Sequence, residues 1–105
     1  MSALSDIIAR LEAGESGRGL DLMIWNATNP DFAWRGEARN GLPKYTTSLD
    51  AAVTLVPEGW FWQATRKFIF EGVVWSPERE GAFYGHVQTG PALALCIAAL
   101  KARLA

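Results

Sequence analysis

The sequence predicts one α/β domain, or the related α+β arrangement. A small, largely antiparallel sheet of three strands is packed by about four helices. Three observations carry this. Apolar residues recur at helical spacing near both ends of the chain, they alternate in strand fashion between Trp60 and Gln88, and Gly, Pro or charged clusters separate these stretches. The order is α-α-loop-α-β-β-β-α. At 105 residues the chain makes a single layered domain, 1–105, whose folding buries about 65% of the unfolded surface.

The elements follow in order. Leu4, Ile7, Ile8 and Leu11 share one helical face, with Ser2 or Ser5 as the cap. Gly14-Glu15-Ser16-Gly17-Arg18-Gly19 stops that helix. Its glycines follow a helix rather than a strand and fit neither phosphate-loop spacing, so they read as a linker. Leu20 to Ala27 is a second short helix, closed by Asn29-Pro30. Residues 28–44 form an ordered or mobile loop that holds Phe32, Trp34 and Arg35. The two rings either pin it or are presented to a partner.

Tyr45 to Gly59 is the best-punctuated segment and holds a third helix. Thr47-x-x-Asp50 has the form of a capping box, Leu49, Val53 and Val56 face the core, and Pro57 and Gly59 end it. Trp60 to Glu71 alternates as one strand: Trp60, Trp62, Ala64, Phe68 and Phe70 on one face, interrupted by Arg66, and Phe61, Gln63, Thr65, Lys67 and Ile69 on the other. Gly72 is read as a tight turn, Val73 to Ser76 as the second strand, Pro77 to Gly81 as a charged turn and Ala82 to Gln88 as the third strand. Thr89-Gly90-Pro91 opens the last helix, whose apolar stripe is Leu93, Cys96, Ile97, Leu100 and Leu104.

Composition excludes several classes of chemistry. One Cys and one His allow neither a disulfide framework nor a Cys/His zinc site within one chain. No cofactor, metal site or catalytic residue is expected. His86 would need a partner acid, for which Glu58, Glu71 and Asp50 are available, and Cys96 reads as a buried, inert thiol. The N-terminus has no signal-peptide pattern and no apolar run reaches the length that spans a bilayer, so a soluble, cytoplasmic protein without a membrane partner is expected. Net charge is −1, which gives no general attraction to nucleic acid. The chemistry that remains is binding. Its candidate residues are Phe32, Trp34 and Arg35 in the loop, and Trp60, Trp62, Arg66 and Lys67 on the first strand, where rings beside cations can stack nucleobases.

Pro43-Lys44-Tyr45-Thr46-Thr47-Ser48-Leu49-Asp50-Ala51-Ala52, continuing through Leu55-Val56-Pro57-Glu58-Gly59-Trp60, and the segment Thr89 to Leu100 resemble small phage and prophage proteins of the phage ABA sandwich domain family. The resemblance implies a layered α/β domain of phage origin in a bacterial host. It carries over capping and packing residues, with Thr47 or Ser48 as the cap and Asp50 supporting the first turn, and no catalytic residue. The expectation is a non-enzymatic phage protein that binds a host or phage protein, with inhibition of host machinery or anti-phage defence as its use. A nucleotide sponge or single-stranded nucleic-acid binder is the alternative, and a virion component or a hydrolase using His86 stands behind both. A homo-oligomer formed by strand-edge pairing or a shared apolar face is a further expectation.

Overall fold

The structure, a computed structural model, describes residues 3–29, 31, 41–66 and 68–105. Among these it has four helices and one three-stranded antiparallel sheet in the expected order. The helices are α1 (Ala3–Glu12), α2 (Arg18–Thr28), α3 (Leu49–Val53) and α4 (Pro91–Leu104). The strands are β1 (Phe61–Arg66), β2 (Phe70–Trp75) and β3 (Ala82–Val87), in spatial order β1-β2-β3.

α4 is the centre of the molecule. Pro91 opens it at the first helical position, where a missing N–H leaves nothing unpaired. Every residue from Ala92 to Leu100 is buried, and Ala102 with them. The expectation of a single apolar stripe was too narrow. The sheet covers one side of α4 while α1 and α3 cover others, so the helix is apolar all round, as a core helix must be. Leu104, expected in that stripe, lies past the covering elements and is exposed.

The sheet approaches α4 through two glycines. Gly72 and Gly85 sit directly opposite each other on β2 and β3. A Cβ on Gly72 would stand 2.6 Å from the Leu95 Cα, and one on Gly85 would run into the Ala94 carbonyl and the Ile97 side chain. Gly72 is therefore an interior strand position, not the turn the sequence suggested. The turn falls earlier. The register pairs Arg66 with Phe70, so the single strand expected over 60–71 is two strands, and the chain reverses between Arg66 and Phe70. Phe68, expected on the same strand face as Trp60 and Trp62, stands at the tip of this hairpin, fully exposed.

α3 is only five residues long, shorter than the expected segment. Ser48, rather than Thr47, caps it, its hydroxyl accepting from the Ala51 N–H at 3.4 Å. Thr54, Leu55 and Val56 then donate three residues back, to Ala51, Ala52 and Val53, winding the chain more tightly than an α-helix. β-Branched Val53, Thr54 and Val56 disfavour further helix, and Pro57 ends it. The Trp60 N–H closes onto the Pro57 carbonyl at 3.0 Å with Gly59 at φ +84°, a type II turn that feeds β1.

Behind α4, a buried carboxylate ties α2 to the chain entering α3. Asp21 is fully buried; its Oδ1 accepts from the Thr46 N–H and from the Thr46 hydroxyl, both at 2.9 Å. Arg18 donates to Asp21 Oδ2 at 3.0 Å and to the Leu42 carbonyl at 2.8 Å. The Gly17 N–H in turn donates to Thr46 Oγ1 at 3.0 Å. Gly14 and Gly17 have φ of +92° and +115° and lie in the linker between α1 and α2, while Arg18 and Gly19, read from sequence as part of that linker, open α2.

Gly85→Ala is expected to destabilise the fold by about 1–3 kcal/mol or more, because the obstacle is helix backbone rather than a movable side chain. Gly19→Ala, in the open first turn of α2, should instead stabilise by up to about 1 kcal/mol. Urea denaturation monitored by circular dichroism measures both.

Candidate functional site: the open face of the sheet

Side chains alternate along each strand, so the register sorts the sheet into two faces. Trp62, Ala64 and Arg66 share the α4 side with Phe70, Gly72, Val74, Phe83, Gly85 and Val87. Val74, on the central strand, is fully buried there. The other face carries three cross-strand rows: Phe61–Trp75–Ala82, Gln63–Val73–Tyr84 and Thr65–Glu71–His86. Among the described residues no helix lies over this second face.

Its apolar part is built from large rings around Val73. Phe61 is 53% exposed and Tyr84 47% exposed. Phe61 packs against Trp75 with ring centroids 5.8 Å apart, and Tyr84 stacks on His86 at 6.1 Å with nearly parallel planes. The half-buried Val73 and Trp75 sit on the central strand between these rings. Tyr84 is held from behind as well: Lys101 on α4 donates to its carbonyl at 2.9 Å and pairs with Glu12 of α1 at 3.1 Å.

The polar end of the face is the Glu71–His86 pair. His86 Nε2 lies 2.7 Å from Glu71 Oε2, directly across the β2–β3 ladder. With Thr65, Phe68 and Ile69 they line an open depression of about 230 Å³. Of the acids available to His86 in the sequence, Glu71 is the one the fold brings to it. The row order matters for chemistry. Glu71 stands between Thr65 and His86, so the hydroxyl is two strands away from the imidazole, roughly 10 Å by strand spacing. A base that activates a nucleophile must reach it within hydrogen-bond distance. The pair is an exposed cross-strand contact of the kind that contributes about 0.2–1 kcal/mol. Among the described residues no three His, Cys, Asp or Glu side chains gather where they could hold a metal.

The strand residues singled out from sequence do not form one cluster. Trp60 is half-buried at the start of β1, packed on Phe83 at 6.1 Å with the Arg79 guanidinium 5.7 Å from its ring. Trp62 is on the α4 side and 38% exposed. Arg66 lies over the Phe70 ring at 5.2 Å. Two of these groups are engaged with neighbours in their own chain. Phe32, Trp34, Arg35 and Lys67 lie outside the described residues. Sequence reasoning did not offer the set on the opposite face, Phe61, Trp75 and Tyr84, and weighed His86 only for catalysis. Alternation separated Phe61 from Trp60 and Trp62, and Tyr84 from Phe83; what singles out their face is the placement of every described helix on the other one.

Cys96 is buried in α4, its thiol donating to the Tyr45 carbonyl at 2.8 Å. Burial pushes the thiol pKa far above its ordinary value, with a smaller contribution from the Asp21 charge. Burial likewise raises the Tyr45 phenol, partly offset by Arg103. These groups are packing, not chemistry.

Compared with protein families, characterised proteins and solved structures, the chain matches none. No described helix is long and apolar enough to cross a membrane.

Because the thiol is buried and held protonated, Cys96 should resist alkylation at about pH 8.5, where an ordinary cysteine is half ionised. Mass spectrometry after iodoacetamide treatment should show a single adduct only in denaturant. Prompt labelling of the native chain would contradict the packing described.

Proposed function

We propose that this protein acts by binding another protein through the open face of its sheet. One observation carries the reading: exposed and half-buried rings, Phe61, Trp75 and Tyr84, surround Val73, while Gln63, Thr65, Glu71 and His86 supply a polar border. An apolar patch rich in rings, with polar residues beside it, is built from the residue types that dominate affinity at protein-recognition surfaces, Trp and Tyr above all.

Charge selects the class of partner. Among the described residues of this face none is Lys or Arg. Nucleic-acid affinity rests largely on cations that neutralise phosphates, which makes nucleotide or single-stranded nucleic-acid binding the weaker reading. Thr65 stands too far from His86 to be activated by it, which makes a hydrolase built on that row the weaker reading. The resemblance to phage proteins supports a bacterial host protein as the partner, met in the cytoplasm, with inhibition of host machinery or anti-phage defence as the outcome.

The test compares the wild-type chain with a Phe61→Ser/Tyr84→Ser variant as bait in bacterial lysate, followed by calorimetry with the purified partner. The variant should keep its circular dichroism and lose at least about tenfold in affinity, the equivalent of 1.4 kcal/mol. Equal affinity of both chains would overturn the reading. So would a wild-type chain that retains no protein but changes its tryptophan fluorescence with oligonucleotide at low salt.

A further inference from the structure

The two edges of the sheet are treated differently. At the β3 edge, Lys101 donates to the Tyr84 carbonyl and α1 packs alongside the strand. These are the devices that keep an edge from pairing with another chain, a charged side chain and a covering helix. β1 is the other edge. Among the described elements only β2 and α4 pack substantially against it. Its sequence, FWQATR, begins with two aromatic residues and has no proline, and none of Phe61 to Thr65 is charged. Its first three residues are exposed although Trp62 lies on the core side of the sheet. A tryptophan on a core face with 38% of its surface in water is apolar surface left uncovered at the rim of the fold.

The geometry points to a second copy of this chain as the occupant of the β1 edge, paired antiparallel across a two-fold axis at Gln63. This register places Trp62 opposite Ala64 of the second copy, so a large ring covers a small residue twice, once on each side of the axis. Phe61 stands opposite Thr65, and Arg66 opposite the ring of Trp60. Even pairing of this kind keeps both open aromatic faces on the same side; a slip of one residue would put them on opposite sides. The result is a six-stranded sheet, β3-β2-β1-β1-β2-β3. The paired strands supply about six main-chain hydrogen bonds, within the roughly 5–15 of a stable interface, and the two Trp62 rings supply its apolar centre. The assembly stands apart from the binding role proposed above, since it needs only the purified chain.

Light scattering on the purified full-length chain should give twice the 11.5 kDa chain mass, falling to the monomer on dilution. Trp62→Lys should weaken association at least tenfold while leaving the circular dichroism unchanged. A Gln63→Cys variant decides the register. Its two thiols would face each other at the axis, within the Cα separation a disulfide spans, and the native cysteine is buried. It should form a disulfide-linked dimer under mild oxidation far faster than Phe68→Cys at the exposed hairpin tip. A wild-type chain that stays monomeric at sub-millimolar concentration would overturn the proposal. Cross-linking at position 63 no faster than at position 68 would overturn it equally, even in a chain that dimerises.

Discussion

The close seat of α4 on Gly72 and Gly85 is the constraint from which the rest of the fold follows. Two facing glycines remove side chains from the middle of the sheet, so helix backbone meets strand backbone almost directly. Ala94 and Leu95 then lie within van der Waals reach of the strands, and the whole helix sinks into the core. A helix buried on all sides needs other elements to cover the flanks the sheet does not reach, and α1 and α3 do this. With α1 and α3 on α4 and α2 packed against α1, no described helix is left for the far side of the sheet. The open aromatic face is thus a consequence of how the last helix packs, and its position is set by residues that never touch it.

The remaining polar groups support that arrangement from behind. Asp21, desolvated but given two donors by Thr46 and one by Arg18, pins α2 to the chain that leads into α3. Arg103 at the end of α4 donates to the Leu55 carbonyl at 2.7 Å, closing the gap left where α3 ends early. Lys101 joins α4, α1 and β3 through Glu12 and the Tyr84 carbonyl. Removing a partner from Asp21 would leave a charge stranded in the core, which is costly because such a group has no water to turn to. The cluster therefore specifies one arrangement of the helices as much as it stabilises it.

Much of the fold was legible from residue pattern. The four helices, the meander, the alternation of Phe83 and Val87 against Tyr84 and His86, and Pro91 as the start of the last helix all follow from local chemistry. The misreadings share a cause. Gly72 looks like a turn because glycine usually punctuates a strand, but here it admits a helix, and only the tertiary partner distinguishes the two uses. Phe68 continues the alternation of the preceding rings, yet the chain reverses between Arg66 and Phe70. Thr47 and Ser48 offer equivalent caps, and the backbone chose the second. The candidate site was less legible for a related reason. Sequence alternation assigns residues to faces but does not say which face the helices cover, so it offers Trp60 and Trp62 without showing that Phe61, Trp75 and Tyr84 share the face the described helices leave open.

The proposed function inherits this logic: a sheet face rich in rings, with no described helix over it and no described cation on it, supports the reading of a surface for a protein partner. Residue-resolved hydroxyl-radical footprinting of the unliganded chain tests the underlying claim most directly. The account predicts fast oxidation of Phe61, Tyr84 and His86 and strong protection of Tyr45, Leu93 and Leu95. Protection of Phe61 and Tyr84 equal to that of Tyr45 would mean that the second face is covered, and would contradict the account.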